Sequence, residues 1–412
     1  MSKLSLSKEK IKVVLLEGVH PLAEESFRKD GYNNIHYLKG SPEKEDLKEL
    51  LADAHILGIR SRTFINEEIL NACHKLMAIG TFCIGTNQVN LEMARNHGIP
   101  VFNAPFSNTR SVAELVLAEI IFLMRGIPQK NAAAHRGQWL KTADNSFEIR
   151  GKKLGIVGFG HIGSQLGVIA ESLGMKVYFY DIENKLPMGN AQHIETLNEL
   201  LAKVDVLSLH VPSTPETKNM IAKPQMERMK PGSLLINAAR GDVVNIEDLV
   251  KQLDNQHIKG AALDVFPEEP SSNQDPFVSE LIKYDQVIIT PHIGGSTLEA
   301  QVNIAKEVSQ KLIKYSNNGT TSSAVNFPQV SLPEISKNQS RVMHIHQNKP
   351  GMLEKVNHVF SSLGMNIAAL HLQTAGEIGY VILDVNNKDV DNLKSQLKEI
   401  DGTLRVRILH GS

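Results

Sequence analysis

An arginine, a glutamate and a histidine each follow an apolar run in the second half of the 412-residue chain. Arg240 belongs to Leu234-Leu235-Ile236-Asn237-Ala238-Ala239-Arg240-Gly241-Asp242. Glu269 follows Ala262-Leu263-Asp264-Val265-Phe266, and His292 sits in Ile288-Ile289-Thr290-Pro291-His292-Ile293-Gly294-Gly295. Singly, each has a plain reading: a surface ion-pair partner, a solvated acid in a proline-flanked loop, a histidine satisfied in a turn. Jointly, at consecutive strand ends, they supply what hydride transfer at a hydroxy acid requires. An imidazole takes the hydroxyl proton. A carboxylate beside it orients the ring and stabilises its charged form. A guanidinium holds the substrate carboxylate by paired hydrogen bonds and polarises the carbonyl.

Such chemistry needs a hydride acceptor, and the run Gly158-Phe159-Gly160-His161-Ile162-Gly163 offers a place for one. It follows an apolar stretch at 154–157 that reads as a buried strand, and precedes a helical pattern at 164–173. Asp181 ends the next apolar run, Val177-Tyr178-Phe179-Tyr180. This is the order of parts in a dinucleotide-binding βαβ unit. Gly158 permits the tight turn, Gly160 lets backbone approach a pyrophosphate, and Gly163 lets helix and strand pack closely. The helix N-terminus favours the anion. Asp181 accepts hydrogen bonds from ribose hydroxyls and repels a 2′-phosphate, which selects NAD over NADP.

Two basic groups occur earlier. Lys39-Gly40 follows one strand candidate and Arg60-Ser61-Arg62-Thr63 follows another. Arg60 and Arg62 stand two apart in a segment read as extended, so both side chains can point the same way. Arginine with lysine suits a phosphate dianion, although a solvated basic loop has the same composition.

The elements that must position these residues can be read from periodicity. Strand candidates at 12–16, 35–38, 55–59, 77–81 and 100–102 alternate with helical patterns at 22–29, 43–51, 66–72 and 91–96. This is a parallel sheet with helices on both faces. A second such unit spans 151–294, with strands at 176–180, 206–210, 233–236, 260–264 and 287–290. Ligands of open α/β sheets bind outside the carboxyl ends of the strands. Between the units, a helix at 111–125 is apolar around most of its circumference and is expected to be buried between domains or, the favoured reading, against another subunit. Trp139 follows it in an irregular stretch that reads as an arm. A long polar helix at 298–315 returns the chain to the first unit, so the NAD domain reads as an insertion with a cleft beside it. Residues 316–340 have linker composition. From 341 the pattern is β (341–347), α (351–362), β (366–374), β (378–385), α (390–399), β (404–409), the ferredoxin-like order. The expected domains are a substrate-binding domain at 1–107 and 296–330, a Rossmann domain at 108–295, a linker at 331–340 and a C-terminal module at 341–412.

Bulk composition narrows the function classes. Forty-four basic and 45 acidic residues give a net charge of −1, so nothing draws the chain in bulk to nucleic acid or an acidic membrane. Cys73 and Cys83 are the only cysteines, which fits a reducing compartment. No apolar run is long enough for a membrane span. A cytoplasmic protein is expected, and no metal is assigned.

The motifs around the glycine run, Arg240, Asp264, Glu269 and His292 resemble those of the D-2-hydroxyacid dehydrogenases, and in particular short bacterial members with a C-terminal ACT domain. The resemblance covers nearly the whole chain. It implies a flavodoxin-like substrate domain carrying an inserted Rossmann domain, with Arg240, Glu269 and His292 catalytic. It implies NAD contacts at His161, Ile162, Asp181, Ala238, Ala239, Arg240, Asp264, His292, Ile293, Gly294 and Gly295. Lys39, Arg60 and Arg62 become phosphate ligands, Asn108 a further substrate contact, and Lys141 a residue reaching the site from a neighbouring subunit. The implied reaction is NAD-dependent oxidation of 3-phospho-D-glycerate to 3-phosphohydroxypyruvate, the first step of phosphorylated serine synthesis. His346, Asn348 and Asn366 match residues that bind L-serine across a paired interface, and paired modules imply a homotetramer. Where the resemblance leads one to expect a glycine pair in the linker, the chain reads Lys337-Asn338. Two alternatives stand: a relative acting on an unphosphorylated hydroxy acid, and a non-catalytic NAD-sensing scaffold on the same fold.

Overall fold

A computed structural model describes residues 6–270, 274–386 and 391–411. Residue 390, expected to open the last helix, and residue 412 lie outside the described residues. The chain divides into two compact units, residues 1–107 with 301–412, and residues 108–300.

The first unit opens with β1 (Val13–Leu15), α1 (Leu22–Lys29), β2 (Ile35–Tyr37), α2 (Lys44–Leu51), β3 (Ile56–Ile59), α3 (Glu67–Ala72), β4 (Ala78–Thr81), α4 (Leu91–Asn96) and β5 (Val101–Phe102). The sheet order is β2-β1-β3-β4-β5 and every pairing is parallel. β1, β3 and β4 are buried at every position. Burial on both faces is why these strands read as continuous apolar runs rather than alternating ones. Asn66 and Asn90 open α3 and α4 by accepting amide hydrogens from Ile69 and Met93, as side-chain oxygens at helix starts do.

The second unit comprises α5 (Thr109–Met124), α6 (Ile127–His135), β6 (Lys153–Val157), α7 (His161–Ser172), β7 (Lys176–Tyr180), β8 (Gln192–His193), α8 (Leu197–Lys203), β9 (Val206–Leu209), α9 (Lys223–Arg228), β10 (Ser233–Asn237), α10 (Ile246–Asp254), β11 (Ile258–Leu263) and β12 (Val287–Ile289). Its strands form one parallel sheet, β12-β11-β10-β9-β6-β7-β8. The strand order reverses direction at β6, between β7 and β9, the switch point at which such sheets hold ligands. α5 packs within its own unit: Val112, Val116, Ile120 and Leu123 join a core with Ile156, Leu166 and Ile236. Its apolar wrap is therefore largely spent inside the domain, and Phe122 is among those left exposed.

α11 (Leu298–Asn318) bridges the two units in sequence. Its Ile304, Val308, Leu312 and Tyr315 lie in the core with Val13, Leu15 and Ile56 of the first sheet. A side chain at Gly80 of β4 would place its Cβ 2.6 Å from Val308, so glycine sets the close approach of helix to sheet. The stretch at 316–340 is not a free linker in its first half. Thr320, Thr321, Ala324, Phe327, Val330 and Leu332 are all buried. The Thr321 amide donates to Val330 O, and Thr321 Oγ1 to Pro328 O. Threonine and asparagine side chains satisfy the backbone that the segment buries, which composition alone cannot reveal.

The C-terminal module comprises β13 (Ser340–Gln347), α12 (Met352–Ser362), β14 (Ile367–Ala375), β15 (Ile378–Val385), α13 (Asp391–Glu399) and β16 (Thr403–His410). Its antiparallel sheet has the order β14-β15-β13-β16. Arg341 is fully buried, paired through two bonds with Asp384 and donating to the carbonyls of Asn318 and Pro333. Tyr380 Oη donates to Gly319 O at 2.7 Å. These bonds fasten the module to the packed segment that precedes it.

Candidate active site

His292 follows β12 at φ 54°, in the left-handed region. Three bonds from neighbouring residues hold the turn. Asp264, at the end of β11, accepts from Thr290 Oγ1 at 2.6 Å and the Ile293 amide at 2.8 Å through one oxygen. Its other oxygen accepts from the Gly294 amide at 2.7 Å. A buried carboxylate with both oxygens engaged can over-determine a backbone conformation that is otherwise uncommon. Glu269 reaches the same place from the loop after β11. Its Oε1 accepts the Phe266 amide, and its Oε2 lies 2.8 Å from His292 Nδ1.

That pair is electrostatically biased. The hydrogen bond to Glu269 raises the His292 pKa above the ordinary imidazole value against the opposing effect of burial, and the charges of Glu269 and Asp264 add to it. Burial pushes the Glu269 carboxyl upward, but the bonds from His292 and the Phe266 amide outweigh it and hold it below the usual range. Together they favour imidazolium beside carboxylate.

Arg240 sits in the turn after β10, half-buried, its Nη1 donating to Ala239 O. Asn237 brackets that turn, accepting the Ala239 amide and donating to Arg240 O at 2.9 Å. A Cβ at Gly241 would lie 2.0 Å from the Phe266 carbonyl carbon. The Arg240 turn and the loop leading to Glu269 are thus in backbone contact, and only glycine permits it. The structure brings Glu269 and His292 into direct contact, and Arg240 bears electrostatically on both. Asn237 and Gly241 belong to the Arg240 motif, and their positioning role emerges only from these contacts. Their signal was a polar residue ending an otherwise apolar strand, and a glycine where no turn demanded one.

The glycine run forms the β6–α7 turn. Gly158 has φ 90°, and a Cβ there would come within 2.5 Å of His210 O. A Cβ at Gly163 would strike Gly158 O at 2.2 Å, whereas Gly160 has nothing within 4 Å. Two glycines are thus required by packing and the middle one fronts open space at the start of α7. Asp181 directly follows β7, its carboxylate accepting the amides of Phe159 and Glu183 at 2.8 and 2.9 Å. An open helix start beside an anchored acid fits a dinucleotide.

In the first unit, Glu17 organises the basic loops, a role the sequence reading did not find. Its buried carboxylate accepts the amides of Arg60, Arg62 and Thr63. Its own amide donates to Gly40 O, and Gly18 N to Leu38 O. The 60–63 segment is therefore bent around Glu17 rather than extended, because three of its four amides converge on one carboxylate. Lys39, Arg60 and Arg62 still share one anchor, and none has a carboxylate ion-pair partner among the described residues.

The chain is 58% identical over all 412 residues, and the full length of both proteins, to D-3-phosphoglycerate dehydrogenase of Escherichia coli (strain K12). The corresponding protein of Dictyostelium discoideum is 43% identical, over 98% of this chain and 99% of its own.

The chain belongs to the D-3-phosphoglycerate dehydrogenases.

It is an NAD-dependent D-2-hydroxyacid dehydrogenase of that family. Residues 117–294 match the D-isomer specific 2-hydroxyacid dehydrogenase NAD binding domain, and 342–405 match an acetohydroxyacid-synthase-small-subunit-like ACT domain. The crystal structure of D-lactate dehydrogenase with NAD+ from Lactobacillus jensenii matches with a TM-score of 0.65 at 27% identity, covering 74% of this chain and 97% of that one. No helix among the described residues is long and apolar enough to cross a membrane.

The remaining predicted residues are dispersed. Asn108 is buried at the start of α5, its Nδ2 packed against Gly295 and its Oδ1 without a hydrogen-bond partner. Lys141 is exposed in the irregular stretch after α6, beside Trp139, which is 85% exposed. In the ACT module His346 is buried, with Nδ1 on Gln347 O and Nε2 unpartnered. Asn348 Nδ2 donates to Gly376 O. Asn366 precedes β14, which pairs Ile367 with Val385, whereas His346 pairs with Gly379. Six residues of β15 separate these ends, about 20 Å. Within one copy, Asn366 lies at the opposite end of the sheet from His346 and Asn348.

Proposed function

We propose that the enzyme oxidises 3-phospho-D-glycerate to 3-phosphohydroxypyruvate as the first step of phosphorylated serine synthesis in the cytoplasm, and that L-serine restrains it through the ACT module. The observation that carries the chemistry is the Glu269–His292 bond. Because Nδ1 faces Glu269, Nε2 is the nitrogen left to take the substrate hydroxyl proton. Arg240 anchors the substrate carboxylate and steadies negative charge on the developing carbonyl oxygen. Bound NAD supplies the acceptor for the hydride leaving the hydroxyl-bearing carbon. Gly158, Gly160 and Gly163, with His161 and Ile162, cradle its pyrophosphate. Asp181 takes the adenosine ribose, and Ala238, Ala239, Asp264 and Ile293 to Gly295 lie about the nicotinamide. Lys39, Arg60 and Arg62 bind the substrate phosphate, with Asn108 and a neighbouring subunit's Lys141 completing the site.

The unpaired charges of the Glu17-anchored loops support the phosphorylated substrate over glycerate or lactate. The dispersion of His346, Asn348 and Asn366 supports a serine site made by two ACT modules, and the open edge of β14, with Leu370 and Leu372 exposed, supports pairing there. A homotetramer follows from that pairing together with a contact through the NAD domain. NADH formation compared for 3-phosphoglycerate, glycerate and lactate tests the reading. Turnover should require the phosphorylated acid and fall when L-serine is added. Preference for an unphosphorylated acid, or no turnover of any, would replace it, and a serine response unchanged in His346→Ala would remove the regulatory part.

A further inference from the structure

A cavity of about 810 Å³ lies in the first unit, where β16 and α13 of the ACT module face the approaches to β1, β3 and β4. Its wall carries Lys75, Lys394, Lys398, Arg405 and Arg407 together with three histidines, His55 among them, and among the described residues no carboxylate side chain lines it. A further lysine of the wall, Lys8, is paired with Asp30. None of the other lysines or arginines has an ion-pair partner among the described residues.

The two arginines are committed to the wall but not neutralised. Arg405 donates to Leu76 O. Arg407 donates to Ser316 O and lies over the Tyr315 ring, while its Nη1 is buried without a partner. Burial lowers the proton affinity of Arg405, of Lys394 and of His55, and like charges add to it, Arg407 on Arg405, Lys398 and Arg407 on Lys394, and Lys75 on His55, while Tyr315 opposes it at Arg405 and Asp53 at His55. Asp53, itself ion-paired with Lys12, is the acid that bears on His55 and Lys75, and partly buried cations crowded with so little counter-charge are costly unless something supplies more. The whole chain carries a net charge of −1, so the positive charge is a local arrangement. The concave shape and volume suit a small molecule, not a nucleic-acid duplex. A single carboxylate cannot neutralise this wall, whereas phosphate groups meet guanidinium forks and lysine point charges together.

We propose that this cavity binds a multiply charged, phosphate-bearing small anion at a site separate from both the candidate active site and the candidate serine residues. β16 borders it, and β13 and β15 separate β16 from the free edge at β14, so pairing of copies along β14 leaves it open. Lys75 and Lys398 are exposed at its mouth and give an anion its entry.

Calorimetric titration of the full chain with inorganic triphosphate, orthophosphate and ATP tests this. An Arg60→Ala/Arg62→Ala background keeps the candidate active-site phosphate ligands from contributing. One site per chain is expected there, weakened about tenfold or more by Lys394→Ala/Lys398→Ala, as loss of a charge-assisted contact implies. Lys75→Ala, on the opposite wall, should weaken it too, so that a folding failure in one variant leaves a second reading. Neither set should change basal turnover in an otherwise native chain. Tighter binding of ATP than of triphosphate makes a nucleotide the ligand, and the reverse makes it the phosphate chain. Binding that disappears in the Arg60→Ala/Arg62→Ala background, or that is indifferent to all three lysines, overturns the proposal.

Discussion

Asp264 fixes His292 without touching it. Its carboxylate binds the threonine hydroxyl two residues before the histidine and the two amides after it, so a buried acid on one strand dictates the conformation of a turn on the next. Asp264→Ala should release that turn while leaving the imidazole and Glu269 in the chain. Misplacement of a reacting group by about 1 Å costs on the order of 100-fold in rate, and kcat should fall by about that much. A variant with native kcat would show that the turn holds itself.

Glu269→Gln addresses proton affinity. The Glu269 bond and charge hold the His292 pKa above its ordinary value. Oxidation needs the neutral imidazole, so the rate rises with pH through that pKa. Removing the carboxylate should move this limb to lower pH and lower the plateau. A pH–rate profile with an unmoved limb would assign the limb to another group.

The basic loops can be dissected because their backbone and side chains do different work. Arg60→Ala removes a guanidinium but keeps the amide that Glu17 accepts. The KM for the phosphorylated substrate should rise by roughly 10- to 100-fold, the worth of a hydrogen bond to a charged group, with thermal stability unchanged. Glu17→Gln, weakening three anchors together, should lower stability as well. Equal stability loss in both variants would contradict this division.

Glu119 gives a test in α5. Burial raises its carboxyl to about 8, and the charge of Asp264 adds to the shift; neither of its oxygens has a hydrogen-bond partner. Since the folded state binds this proton more tightly than the unfolded chain, stability should decline as pH rises from about the ordinary value of 4.5 towards 8. Glu119→Gln should flatten that part of a Tm–pH curve. Identical slopes for the two proteins would show that the carboxyl ionises without cost.

The elements most legible in the sequence were those whose periodicity agrees with their burial. Helix 22–29, strand 176–180 and strand 378–385 fall where the apolar pattern places them. α6 escaped notice because Ile-Pro-Gln-Lys-Asn-Ala-Ala-Ala-His has almost no apolar face. The 320–332 segment read as linker because its composition is polar, yet its polarity satisfies buried backbone. Glu17 was invisible for a related reason. One acid after an apolar strand carries no local signal, and the three amides it binds lie more than forty residues away. Motifs mark the candidate ligand-facing residues; the residues that hold those motifs still are defined by contacts that only folding creates.

Within the glycine run, folding and ligand binding are separable. Gly158→Ala and Gly163→Ala meet backbone carbonyls and should destabilise the domain, whereas Gly160→Ala meets nothing within 4 Å and should fold while binding NAD less tightly. Differential melting with and without NAD distinguishes the two classes.

The register of the ACT sheet sets a condition on how any effector could be sensed. His346 and Asn348 stand at one end of the sheet, and Asn366 at the other. One copy therefore cannot bring all three side chains to one small ligand. A ligand gripped by all three residues would read out two quantities at once, its own abundance and the fraction of chains that have found a mate, and on dilution the response would fade before the catalysis did.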